Sequence, residues 1–399
     1  MSSTVRADGP RAARQPFSEL ARKVVLLVAE DGFALSHCRG LISVLAELVR
    51  QVVVVTRASG RSSELEALGA GVIDFDCRSS WSNPARAART AWRLAQALEA
   101  ESPDAVHIVG FQPAVLGCLA LKLVPATRVI VHLPDLGPLD PATAGSTRLY
   151  RAGALRLLAS LLRSPTSFLL VENADDLAHL IALGADPGPR FAVLGGSGID
   201  TDVYPVLPPA QSDMPVAAFV GHMVRANGVD VLMRAFDRLW ARGVHLRLDL
   251  FAAGEASGKG AIPSADVAQW CLHPGVRCEK EATDVREVWR RAEIFVLPAL
   301  VQQGIPRTLL EAAACGRALI VTDVPGIRNF VRDGVEGLIV PRDDAAALAE
   351  ALERLARDSE MRARMGQAAR LRVLQGFTEA HVKQALRGVY LSLLGGNRP

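Results

Sequence analysis

The stretch Pro298–Asp323 reads PALVQQGIPRTLLEAAACGRALIVTD. It divides into the end of a strand, a Gly-Pro turn at Gly304–Pro306, a short helix carrying Glu311, a glycine stop at Gly316 and a buried apolar strand. Pro306 suits the first helical position, where a missing N–H costs nothing. A glycine turn at the carboxyl end of a strand, followed at once by a helix, leaves backbone N–H groups of Gly304 and Ile305 free to meet an anion. Arg307 and Thr308 stand on the first turn, and Glu311 follows within reach of a sugar or nucleotide hydroxyl.

The same grammar repeats outward from this segment. Apolar β-rich runs at Val24–Ala29, Val52–Thr56, Val72–Phe75, Ala105–Val109, Val129–His132 and Phe168–Val171 alternate with amphipathic stretches such as Cys38–Val49 and Pro84–Ala100. This alternation predicts βαβ units and a parallel sheet. A proline-rich stretch without periodicity, 204–215, reads as a linker. A second series follows at Val216–Val220, Leu246–Phe251, Ile294–Leu297, Leu319–Thr322 and Gly337–Val340. Helices are predicted over Asp344–Arg357 and Met361–Val373, and a last one after Thr378, its N-cap. Two open α/β sheets joined by a linker leave a cleft at the carboxyl ends of their strands, where such sheets bind ligands.

Composition agrees with two globular domains. Half of the 399 residues are hydrophobic and 22% are charged, so sizeable cores can form. Forty-five basic residues against 42 acidic give a net charge of +3, no general case for nucleic acid. The six cysteines, at 38, 77, 118, 271, 278 and 315, make no CxxC pair and read as buried free thiols of a reducing compartment. No apolar run reaches the roughly 18 to 20 residues of a membrane span. The reading is a cytoplasmic protein, peripheral to a membrane at most, with residues 1–22 a flexible tail.

Four further constellations carry chemistry. After the first strand, Gly32 leads into a helix through Phe33-Ala34-Leu35-Ser36-His37-Cys38-Arg39, either a ligand-facing turn or a plain βα turn capped by Ser36. His107 and His132 fall at strand ends on the cleft side. Gly195-Gly196-Ser197-Gly198-Ile199-Asp200 permits close backbone approach, with Asp200 fixing the loop. His222-Met223-Val224-Arg225-Ala226-Asn227-Gly228 follows the first strand of the second series and carries Arg225 on its turn.

These motifs together resemble glycosyltransferase family 4, in particular its surface-polysaccharide and lipid-linked oligosaccharide subgroup. The resemblance covers about residues 24–390 and is strongest over 290–345. It implies the GT-B fold: an α/β architecture of two Rossmann-like domains whose parallel sheets face a central cleft. The expected divisions are a tail 1–22, an acceptor domain 23–203 completed by the helix 378–399, a linker 204–215 and a donor domain 216–377. It also implies a metal-independent, retaining transfer from a nucleotide sugar to a glycan or polyprenyl-linked acceptor, with no cofactor. His132, Arg225 and Gln303 are then the catalytic candidates. Gly32, His222, Asn227, Gly304, Ile305, Arg307, Thr308 and Glu311 are the donor-binding candidates. Acceptor choice would lie in the loops Ser79–Pro84 and Asp135–Thr147.

Three positions depart from the family's pattern. Gln303 stands where the first of two glutamates is usual, and Glu311 is the second. His222 and Asn227 stand where an arginine and a lysine usually grip the diphosphate. Gln can accept and donate hydrogen bonds but brings no charge. A runner-up reading is therefore a degenerate homologue, a binding or regulatory subunit of a polysaccharide assembly complex. A third, an epimerase-like or sugar-phosphate-binding protein of the same architecture, lacks the extra cleft carboxylates and histidines it would need.

Overall fold

The structure, a computed structural model, describes residues 21–77, 84–124, 127–136, 148–209, 214–252, 260–280, 284–301 and 304–395. Gln303, residues 1–20 of the expected tail 1–22 and most of both expected acceptor loops lie outside them, while Ala21 and Arg22 already belong to the first strand and not to a tail.

Thirteen strands form two wholly parallel sheets among these residues. The first holds β1 (Ala21–Glu30), β2 (Val49–Arg57), β3 (Ala70–Asp74), β4 (Ala105–Val109), β5 (Arg128–Leu133), β6 (Ser167–Val171) and β7 (Phe191–Val193), in the order β3-β2-β1-β4-β5-β6-β7. The second holds β8 (Val216–Gly221), β9 (Arg247–Ala252), β10 (Val276–Lys280), β11 (Ile294–Leu297), β12 (Ala318–Thr322) and β13 (Gly337–Val340), in the order β10-β9-β8-β11-β12-β13. Continuous apolar runs such as Val24–Val28 and Ile294–Leu297 are buried on both faces, as central strands covered by helices must be.

Two strands were not predicted. Phe191–Val193 has only three residues, and Val276–Lys280 reads VRCEK, with charges where a central strand would be apolar. Both lie at sheet edges, where solvent accepts such residues. Pro306 is the N-cap and the helix starts at Arg307, one residue later than the proline rule predicts. Ser36 is no cap. It lies inside the helix Asp31–His37, and its hydroxyl donates to the Phe33 carbonyl.

The cysteine expectation needs correcting. Cys38, Cys77, Cys118 and Cys315 are buried free thiols, but Cys271 and Cys278 form a disulfide. Their seven-residue separation spells no motif. The turn between the helix Ser264–Trp270 and edge strand β10 brings them together.

The last helix, Glu379–Gly395, crosses back to the first sheet. It packs on the helix Arg39–Leu48, and Val382, Leu386, Val389 and Tyr390 join the core around β1 and β2. Thr378 caps it as expected, its hydroxyl accepting from the His381 N–H. The crossing is stitched to the 195–200 loop, where Ile199 N–H donates to the Phe377 carbonyl and Glu379 N–H to the Ile199 carbonyl. Asp200 fixes that loop by accepting from the N–H groups of Asp202 and Val203.

The turn after β8 is held by Gly228, whose φ is +69°. A Cβ there would overlap the Pro298 carbonyl, so two causes exclude any other residue. Gly228→Ala is expected to cost roughly 2 to 4 kcal/mol, since strain and overlap act together. Chemical denaturation of wild type and variant would measure it, and equal midpoints would refute the packing argument.

Candidate functional site

The two sheets meet through the segments at their carboxyl ends. Gly304 lies against the Pro134 carbonyl and the side chain of Glu172, whose Oε2 stands 3.1 Å from where a Cβ on Gly304 would be. Ile305 is buried and touches the space beside Gly196. Arg307 Nη1 donates to the Ser36 carbonyl at 3.1 Å, joining the second sheet's helix Arg307–Ala314 to the helix that carries Gly32. Asp175 accepts from Arg328 at 3.2 Å and from Asn329 at 2.9 Å, a further tie across the seam.

Within this seam His132, near the end of β5, faces Glu172, which directly follows β6. Nε2 and Oε1 are 3.7 Å apart, too far for a hydrogen bond, and neither ring nitrogen of His132 has a partner. Burial and the nearby His37 push His132 down to about 4. Burial, Asp135 and Asp176 push Glu172 up to about 8. At neutral pH this is an uncharged imidazole beside a protonated carboxyl, two polar groups that a ligand hydroxyl could bridge.

Glu311 is on the fifth residue of its helix and is almost fully buried, deeper than its expected position near the helix start. Its Oε1 accepts from Tyr204 at 3.0 Å and from Arg307 Nε at 3.1 Å. Burial raises its pKa, and Arg307 and Tyr204 oppose that rise. The carboxylate is thus fixed before any ligand arrives. Thr308, half-buried, is the second residue of this helix. Gly32 stands in the first turn of Asp31–His37 with open space beside its Cα.

The expected diphosphate loop lies beside this centre. It contacts the β11 end through Leu300 N–H, which donates to the Ala226 carbonyl. His222 is exposed. Asn227 closes the loop by donating to the His222 carbonyl at 2.9 Å, and Arg225 reaches Asp230 at 3.6 Å. His107 is not on the cleft surface as expected. It is fully buried, and its Nδ1 shares a 2.6 Å hydrogen bond with Tyr390 of the last helix.

Three residues escaped the sequence reading. Glu172 was signalled only by a carboxylate standing straight after the apolar run FLLV. Tyr204 lay in the stretch read as a linker. His37 was quoted in a motif but given no role, and it lies near Arg307: the surrounding protein and then that guanidinium hold it below its usual range, though part of its ring is exposed.

Two parallel sheets that meet at their carboxyl ends, with His132, Glu172, Arg307 and Glu311 near the seam, define a GT-B glycosyltransferase architecture. Residues 35–196 match the family model of the glycosyl transferase 4-like domain, and residues 214–358 that of glycosyl transferases group 1. The α-maltose-1-phosphate synthase of Mycolicibacterium smegmatis is 32% identical over 320 residues, 73% of this chain and 79% of that protein. The capsular polysaccharide biosynthesis glycosyltransferase CapM of Staphylococcus aureus is 27% identical over 183 residues, 46% of this chain and 47% of its own length. The crystal structure of Anabaena HepE with UDP and glucose superposes with a TM-score of 0.75 at 16% identity, covering 93% of this chain and all of that one. The chain belongs to this glycosyltransferase family. No helix among the described residues is long and apolar enough to cross a membrane.

The His132–Glu172 pair makes a testable pH profile. Between about pH 4.5 and 8 the unfolded chain loses the Glu172 proton while the folded chain keeps it, so the Glu172 contribution to stability falls as pH rises. Between about pH 6.5 and 4 the unfolded chain takes up a proton that folded His132 refuses, so the His132 contribution falls as pH drops, and the two offset each other between about pH 4.5 and 6.5. Glu172→Gln is expected to flatten the fall between about pH 6.5 and 8 and to extend the acid limb up to about pH 6.5. Melting temperatures across pH 4 to 9 check this, and an unchanged alkaline slope would contradict it.

Proposed function

We propose that this chain is a retaining glycosyltransferase. It moves a sugar from a nucleotide sugar to a glycan or polyprenyl-linked acceptor in the assembly of surface polysaccharide, working peripherally at the cytoplasmic face of a membrane. The observation that carries this reading is the seam itself: Glu172, which faces His132, lies against Gly304, and Arg307, which holds Glu311, reaches the Ser36 carbonyl of the first sheet's side.

The residues divide the work by their chemistry. The donor's diphosphate lies at the start of the helix Arg307–Ala314, against the backbone N–H groups of Gly304 and Ile305. Arg307 and, from the neighbouring loop, Arg225 supply the positive charge the leaving group needs, without a metal or other cofactor. Glu311, oriented by Tyr204 and Arg307, receives ribose hydroxyls. His132 and Glu172 hold the transferred sugar through its hydroxyls, and the acceptor enters on the face from which the diphosphate leaves. A protonated Glu172 donates a hydrogen bond that a carboxylate could not. The names of CapM and of HepE in its UDP and glucose complex support a sugar-nucleotide chemistry of this kind.

The degenerate reading is also favoured by one observation. In the loop after β8, Asn227 is used up in holding the His222 carbonyl and Arg225 faces Asp230, so this loop brings little free charge to a diphosphate. Each missing preorganised contact would cost about 2 to 4 kcal/mol in the transition state.

Titration calorimetry with a panel of nucleotide sugars tests the main reading. Wild type is expected to bind one of them, and Glu311→Ala to weaken that binding at least tenfold, about 1.4 kcal/mol. Transfer assays on the double variant Asn227→Lys, Gln303→Glu separate the two readings. A working transferase gains little, whereas an inactive wild type with an active double variant would establish the degenerate reading.

A further inference from the structure

A cavity of about 540 Å³ lies at the amino ends of the second sheet's strands, the end opposite to the seam. One wall is the stretch between the two sheets, through Val206, Leu207 and Pro209. Another is the helix Ser359–Leu374. Glu293, which precedes β11, and Arg317, which precedes β12, complete it.

The cavity holds a buried charge without a counter-charge. Arg317 lines it yet is only 3% exposed, and its Nε has no partner. Its Nη2 donates to the Pro208 carbonyl at 3.0 Å. Arg370, on the same walls, donates to the Tyr204 and Ala314 carbonyls at 2.8 and 2.9 Å. Among the described residues no carboxylate lies within ion-pair distance of either arginine. Glu293, the carboxylate that lines the cavity, is held by Arg362 at 3.3 Å. A guanidinium kept from water without a counter-ion is costly, and an anion seated beside it removes that cost.

The other walls select the rest of the ligand. Val206 is 60% exposed and Leu371 51%, and with Leu207, Pro209 and Ala363 they surround the guanidinium with hydrocarbon. An inorganic ion would pair with Arg317 and leave these walls wet. A polyhydroxylated anion would lose the hydration of its hydroxyls against them. A carboxylate on an apolar body suits both, since its two oxygens match the guanidinium fork and its body covers the walls.

We propose that this cavity is an effector site for a small carboxylate with an apolar body, and that filling it fixes the stretch 204–209 against the helix Arg307–Ala314. The connection is short. Leu207 N–H donates to the Cys315 carbonyl at 3.2 Å, directly after that helix, and Arg370 ties the Tyr204 and Ala314 carbonyls together. The Tyr204 hydroxyl in turn donates to Glu311. A ligand that bridges Val206 and the helix Ser359–Leu374 therefore holds the hydroxyl that orients Glu311. A nucleotide sugar that needs Glu311 then binds tighter when the cavity is filled. That last step rests on the transferase reading above.

The test is calorimetry on the full chain with hexanoate, acetate and hexanol, joined to hydrogen–deuterium exchange with hexanoate in excess. Wild type is expected to bind hexanoate at least tenfold tighter than acetate or hexanol, and hexanoate to slow exchange over 204–207 and 311–316. Arg317→Met, which keeps the bulk of the side chain, should abolish the preference over hexanol. Gln367→Glu, an exposed change on the cavity wall, sets a carboxylate beside the ligand and should weaken hexanoate at least tenfold even if Arg317→Met melts early. Hexanoate no tighter than acetate would mark an adventitious ion only, and no tighter than hexanol an apolar surface only. Either overturns the proposal, as does full affinity in Gln367→Glu or unchanged exchange over the two segments. A nucleotide sugar is expected to bind at least threefold tighter with hexanoate present, and an affinity that hexanoate does not move would also overturn it. Hexanoate binding with the expected protection, but no nucleotide sugar bound at all, would leave the effector site standing and contradict the transferase reading instead.

Discussion

The organisation of this protein depends on a close approach of backbone at one point. Gly304, at the turn before the helix Arg307–Ala314, lies against the Pro134 carbonyl and the Glu172 side chain, where a Cβ would overlap the chain opposite. Because that turn can press so closely on the first sheet, the helix behind it brings Arg307 within hydrogen-bonding distance of the Ser36 carbonyl. A larger side chain at 304 would hold the two sheets apart and separate every pair of groups described across the seam.

Closure also sets the electrostatics. His132 and Glu172 are pushed toward their neutral forms because the seam removes water from both. The desolvation of these groups opposes closure, and the ties Arg307–Ser36 and Arg328–Asp175 favour it. A ligand that supplies hydroxyls to the unpartnered nitrogens of His132 would tip this balance, since it binds only the closed arrangement well. The last helix contributes from behind. It returns to the first sheet and holds His107 through Tyr390, 5.6 Å from the His132 ring.

Much of the fold was legible in the sequence because its central strands are buried on both faces. Val24–Val28 or Ile294–Leu297 can hardly be anything else once turn residues bound them. Edge strands obey a weaker rule, so VRCEK at 276–280 escaped notice, and with it the Cys271–Cys278 pairing that the edge creates. The half of the candidate site that is local in sequence, Gly304 through Glu311, could be placed from one strand-turn-helix. The half built across the seam could not. Glu172 and Tyr204 matter because of what folds onto them, and neither stands in a periodic pattern. His107, correctly read as a strand residue, was wrongly aimed at the cleft, because the last helix covers it. The loop at 222–228 was legible in place, and its internal bond, from the Asn227 amide to the His222 carbonyl, came only with the fold.

The central claim is that a nucleotide sugar is bound between the two sheets and holds them closed. Hydrogen–deuterium exchange on the full chain, with and without the nucleotide sugar that binds best, tests it most directly. The account expects the ligand to protect backbone amides on both sides of the seam, residues 132–136 and 304–311, in wild type. It expects Gly304→Val to keep protection at 304–311 and lose it at 132–136. Protection confined to the second sheet's segments in wild type, or equal protection of both sides in Gly304→Val, would contradict it.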